Sequence, residues 1–275
     1  MFRTSNPVLS GNAFNVQNYD ALGGPGALDA SRESVMTVQG VVNKSFFLIG
    51  LTTATAVSAW HFMANKTISP MLPAVGGGLA GLVLSLIICF APRTAPWLAW
   101  MYALVKGPAL AGISFIVASY LDAKLAAKSA STSGMMGGAG ITLVFQAVAL
   151  TFGIFFALLL AYSMRIIRLS GPWKRGIIAA TFGIMLFYLA SMVLGMFGVD
   201  IGFIHSSGPI GIAFSAFVVV LAAANLVLDF QNIEETAQSG APKWMEWLGA
   251  VGLLMTLAWL YVEVLRLLLK LKDQK

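Results

Sequence analysis

The stretch MLPAVGGGLAGLVLSLIICFA, Met71–Ala91, runs for 21 residues without an Asp, Glu, Lys or Arg. A hydrocarbon core of about 30 Å is crossed by about 20 apolar residues wound as a helix, whose backbone satisfies its own hydrogen bonds. The stretch therefore reads as a membrane span. Working outward, six more stretches meet the same test: Ser45–Met63 before it, and Pro96–Leu121, Ala139–Tyr162, Gly176–Phe197, Gly208–Phe230 and Met245–Leu269 after it. The fold class is an all-α membrane protein, a bundle of seven transmembrane helices. Composition agrees, since 58% of the 275 residues are hydrophobic and 10% charged, against about 25% charged in soluble domains. One cysteine, Cys89 inside the quoted run, excludes a disulfide scaffold. The net charge of +6 is scattered over segment ends, not gathered into a stripe, which excludes nucleic-acid binding.

The connections are short: Lys66–Pro70, Pro92–Pro96, a Ser/Gly-rich Asp122–Gly138 and a basic Met164–Arg175. Gly171, Pro172, Gly208, Pro209, Gly240 and Pro242 mark span boundaries as helix breakers. Residues Met1–Gly40 are rich in Ser, Asn, Gly and Asp, lack helical periodicity and lack the charged start and apolar core of a signal peptide. They read as a mobile polar tail ahead of a seven-helix domain over 41–275. Near the last span, Lys243–Trp247 is amphipathic, so that helix can begin at the interface.

Lys and Arg accumulate on cytoplasmic loops. Nine lie on the side of the N-terminus and seven on the other, and the loop with Arg165, Arg168, Lys174 and Arg175 casts the strongest vote for a cytoplasmic N-terminus. A last segment that re-enters, so bringing Arg266, Lys270, Lys272 and Lys275 to the same side, would make the count thirteen to three.

Ionisable side chains inside a membrane cost roughly 2.5–3.5 kcal/mol each on insertion scales, which makes each a candidate for function. Lys106 lies mid-way along the third span, Asp229 near the end of the sixth, and Glu263 well inside the seventh. Asn225 stands four residues before Asp229, on one helical face with it, and Ser215 and Asn232 extend this polar stripe. Structural readings stand beside these. Glu263 can meet Arg266 at i,i+3 on its own helix, Asp229 can be the first wet residue of a loop, and Lys106 calls for an acid inside the bundle. Gly77 and Gly81 form GxxxG, and Ala103, Gly107 and Ala111 repeat the small-residue spacing, more simply as internal packing than as a dimer face. His61 and His205 are solitary and read as interfacial.

An enzyme is not expected. HExxH, GxxxxGK[ST], an EF-hand loop and GxSxG are all missing from the sequence. Glu234–Glu235 begins like the EExxxR pattern of intramembrane glutamate proteases, but Ser239 stands in the place of its arginine. A retinal protein needs a lysine within the last helix, and Lys270 comes at its very end. No organic cofactor is expected.

The order and spacing of SNPVL (Ser5–Leu9), MTVQGVVNKS (Met36–Ser45), APWLAWMYALVKG (Ala95–Gly107), GPIGIAFS (Gly208–Ser215), NLVLDFQNIE (Asn225–Glu234), GAPKWMEW (Gly240–Trp247) and LAWLYVEVLRLLLKL (Leu257–Leu271) resemble the bacterial branch of the Bax inhibitor / YccA-like family. The resemblance implies seven helices with the last at the centre, in a bacterial inner membrane. It also implies a pH-sensitive calcium leak, with an acidic pair on the last two helices as proton sensor. Carried over, those acids are Asp229 and Glu263, with Asn225 beside them, and calcium is the transported ion, not a cofactor. Two carboxylates held together share a proton and act as a latch. Compared with the usual pattern, Glu263 is one methylene longer than Asp, and 34 residues separate it from Asp229. A last helix running straight from Met245 would put Glu263 about 27 Å from its start. Pairing therefore requires a surface segment at Lys243–Gly252, or Glu246 as the substitute partner. Lys106 stands where relatives carry an acid and is expected to modulate the pair by clamping it, with Arg266. The second expectation is a non-conducting protein that binds membrane proteases or other membrane partners through the Met1–Gly40 tail.

Overall fold

The computed structural model describes residues 35–128, 138–167, 169–197 and 208–274. Most of the expected tail (residues 1–34), most of the Ser/Gly-rich loop (129–137), Arg168 and His205 lie outside the described residues. Within them the chain forms seven long helices: α1 Val38–Ala64, α2 Leu72–Phe90 (its first turn a π-turn, Leu72–Gly76), α3 Ala95–Lys128, α4 Ala139–Ser163, α5 Gly171–Met196, α6 Pro209–Gln238 and α7 Met245–Asp273. Each is long and apolar enough to cross a membrane. Large apolar side chains cover the outside, among them Phe90, Trp97, Phe182 and Val220, as expected where the solvent is lipid.

The ends extend beyond the apolar runs because polar overhangs continue the helical backbone. Thr37 caps α1 by accepting from the Gly40 N–H at 2.9 Å. At the other end of the chain Gly240, with φ of 74°, closes α6, its N–H reaching the Ala237 carbonyl, and the Ala241 N–H reaches that of Thr236. A left-handed residue at this position suits Gly and satisfies the last carbonyls of the helix.

α7 is the most deeply buried of the seven and packs against α1, α3, α4 and α6, whereas α2 rests on α3 and α5 on α6. The last helix is thus central, as expected. It runs unbroken and antiparallel to α6, so the interfacial segment at Lys243–Gly252 and the re-entrant alternative are both replaced by one straight helix. Small residues set the closest approaches. A side chain on Gly107 would strike Thr55 and the Thr52 carbonyl of α1, and one on Gly77 would meet Ala109 and the Val105 carbonyl of α3. The GxxxG therefore serves packing inside the bundle. Between α1 and α4, floored by α3 and α7, lies an apolar cavity of about 400 Å³ beside the buried Ser114–Tyr261 hydroxyl pair, 2.6 Å apart.

Candidate functional site: a polar seam between α5, α6 and α7

The seam begins with the register of α6 on α7. Lys270 of α7 donates to Ser215 Oγ of α6 at 2.8 Å and to the Gly211 carbonyl at 3.0 Å. Fourteen residues further along α6 is Asp229, and fourteen residues back along α7 is Thr256, so the same antiparallel register sets Thr256 beside Asp229. The two bonds of Lys270 fix that register. Glu263 falls level with Ala222, seven residues from Asp229, or about 10 Å along the axis at 1.5 Å per residue. The expected Asp229–Glu263 pair is therefore not a contact. Thr256 lies eleven residues into α7, roughly 16 Å from its start, so Asp229 stands at membrane depth and not at the first wet turn of a loop.

Each polar residue of the seam can be followed in turn. Asp229 keeps one oxygen, Oδ2, buried without a hydrogen-bond partner among the described residues. One turn away on α6, Asn225 donates to Thr181 Oγ1 of α5 at 2.8 Å and to its own helix at the Leu221 carbonyl, 2.9 Å. Glu263, 2% exposed, receives Arg266 Nη1 at 3.0 and 3.1 Å and the Tyr188 hydroxyl of α5 at 3.2 and 3.3 Å. Arg266 also donates to the Tyr188 oxygen at 2.7 Å and stacks over its ring, 5.1 Å from the centroid. A carboxylate this buried is tolerable because a guanidinium and a hydroxyl satisfy it together. Lys270, counted from the sequence among the basic residues at the end of the last span, is 4% exposed and fills the far end of the seam. Asn232, assigned to the stripe from its position, is exposed and faces away.

Two other expected participants lie elsewhere. Lys106 occupies the α2–α3 interface, its stem 3.8 Å from the Cβ position of Gly81 and its ammonium 5.8 Å from the Tyr102 ring centroid. Small residues open a groove there, and no salt bridge ties Lys106 to an acid among the described residues. It clamps neither Asp229 nor Glu263. Glu246, proposed as the substitute acid, is 2% exposed at the start of α7 and accepts from the Thr37 N–H (2.9 Å), the Thr37 hydroxyl (3.0 Å) and the Lys44 ammonium. It fastens the beginning of α1 to α7. Around it, Val35 bridges Pro242 and the Met36 N–H reaches the Ala241 carbonyl at 2.7 Å, so 35–40 are built into the domain and do not belong to a tail.

With this geometry in view, the comparison with protein families is decisive: the model described as Bax inhibitor 1 like matches residues 6–273, nearly the whole chain. The chain belongs to the Bax inhibitor 1 like family. No curated protein and no solved structure matches it. This Bax inhibitor 1 like chain has seven helices long and apolar enough to cross a membrane, and the seam is where its residues depart from the acidic pair that the resemblance implied.

Sequence reasoning missed three seam residues of this Bax inhibitor 1 like protein: Thr256, Tyr188 and Lys270 in its buried role. Thr256 was within reach. Folding α6 and α7 back on each other about the Gly240–Pro242 turn places Asp229, thirteen residues before Pro242, level with position 255 or 256. Tyr188 lies on a different hairpin and left no such signal.

Proposed function

We propose that this Bax inhibitor 1 like protein is a bacterial inner-membrane ion-leak protein, with a cytoplasmic N-terminus, whose passage is controlled by the proton on Asp229. The observation that carries the reading is the buried Oδ2 of Asp229, which has no hydrogen-bond partner among the described residues while Asn225, Glu263 and Lys270 of the same seam are bonded. An acid kept at that depth is costly and is retained for ion or proton traffic. When protonated, Asp229 can donate across the α6–α7 seam. When ionised, it presents a bare oxygen to a cation. Glu263 does not share this role, because Arg266 and Tyr188 hold it. The bilayer and the permeant ion, calcium or protons, are then its partners, and neither catalysis nor a cofactor has a part.

Ion flux into proteoliposomes, calcium included, compared at pH 6 and pH 8, tests the reading. Flux that depends on pH in the wild type and loses that dependence in Asp229→Asn is expected. A pH profile unchanged by Asp229→Asn overturns it. A second reading, a non-conducting protein that regulates membrane proteases, draws on the closure of the far end by Lys270. It predicts no flux even from Lys270→Ala.

A further inference from the structure

We propose that Thr256 makes the Asp229 site a single-charge site, filled by one proton and not by a divalent cation, so that Thr256 sets the ion class of the seam. The inference rests on Asp229 being the controlling acid, and it names the ion which that acid takes.

The first support is the donor set. Calcium takes six to eight oxygens and is held by several carboxylates. Level with Asp229 on α7, in the register set by Lys270 and Ser215, is one neutral hydroxyl, that of Thr256, which donates to its own Gly252 carbonyl at 3.3 Å. On the α5 side, Thr181 is engaged by Asn225. On the α4 side, rings of Phe155 and Tyr162 pack on Phe230, the neighbour of Asp229, and the Tyr162 hydroxyl is bonded to Glu234. One negative charge is thus offered. A divalent ion there would leave an uncompensated unit charge in a low-dielectric interior, whereas a proton neutralises the site completely.

The second support is the route. Below Asp229 the seam holds Asn225, then Glu263 with Arg266 and Tyr188, then Lys270 with Ser215. Two cationic side chains, Arg266 and Lys270, stand in the way of a calcium ion, and each repels a divalent charge twice as strongly as the single charge of a proton. The two arguments are independent, one concerning the site and the other the path.

The test uses the purified full-length protein in detergent at pH 8, titrated with calcium alone and followed by thermal unfolding. Wild type and Asp229→Asn are expected to respond alike. Thr256→Asp, which supplies the second carboxylate, is expected to rise by about 5 °C or more at saturating calcium, and the rise should vanish in Asp229→Asn/Thr256→Asp. Stabilisation of the wild type by calcium that Asp229→Asn removes overturns the inference, as does a folded Thr256→Asp that ignores calcium. If Thr256→Asp does not fold, the comparison of wild type with Asp229→Asn decides alone. In proteoliposomes a proton flux without calcium flux is the expected companion result, and a calcium flux dependent on Asp229 contradicts it. Absence of any flux, with the calcium response as expected, removes the leak reading and leaves the charge class of the site standing.

Discussion

A Cβ on Gly107 would collide with the Thr55 side chain and the Thr52 carbonyl, whereas one on Gly50 would meet nothing within 4 Å. Gly107→Ala should therefore destabilise the α1–α3 contact by about 1–3 kcal/mol, the usual cost of overpacking. Gly50→Ala should be neutral or stabilising by up to about 1 kcal/mol, and thermal unfolding in detergent checks both. The Glu263–Arg266 pair makes a sharper case. Arg266→Met leaves a buried carboxylate with only Tyr188 and should cost about 3 kcal/mol, most of it recovered by adding Glu263→Gln, since the penalty belongs to the stranded charge. Failure of the double variant to recover would mean that Arg266 acts through packing. This pair was legible in the sequence, because i,i+3 spacing brings two side chains together on any helix. The place of Lys106 was not. Its stem fits a groove opened by Gly81 on another helix, and one helix's sequence does not record which neighbour carries the complementary gap.

Helices were the most legible elements, since about 20 apolar residues leave few alternatives at membrane depth. Their ends were less so: α1 begins seven residues before the apolar run starting at Ser45, and α3 and α6 continue to Lys128 and Gln238 on polar overhangs. Hydrophobicity marks the lipid, not the end of the backbone hydrogen bonding. The register of α6 on α7 decided the site, and hydropathy carries no register. The turn at Gly240–Pro242 does, and it puts Asp229 opposite Thr256. At the same junction, Glu246 ties α7 to the start of α1. Glu246→Gln weakens its hold on Lys44 and on the Thr37 N–H, so hydrogen exchange at Met36 and Thr37 should quicken at least tenfold while amides in the middle of α7 stay protected. Equal exchange in both proteins would show that the Val35–Pro242 bridge alone holds this segment.

On the scale of the molecule, seven helices with an unbroken α7 put the two ends of the described chain on opposite sides of the bundle. The count of basic residues stays at nine to seven instead of thirteen to three, a small bias for the positive-inside rule to act on. Reporters fused after Arg93 and after Lys275 should therefore report opposite faces, with Arg93 on the cytoplasmic one; the same face for both would contradict a crossing α7. The polar seam, Lys270 at its far end and Asp229 at mid-depth, follows from this arrangement, and the central claim is that Asp229 faces Thr256 and not Glu263. Disulfide formation tests it most directly, in a background where the single native cysteine, Cys89, is replaced by Ser. Cysteines bridge only when their Cα atoms lie within about 7 Å. Asp229→Cys/Thr256→Cys should cross-link readily under mild oxidation while Asp229→Cys/Glu263→Cys should not, and the reverse pattern would contradict the account.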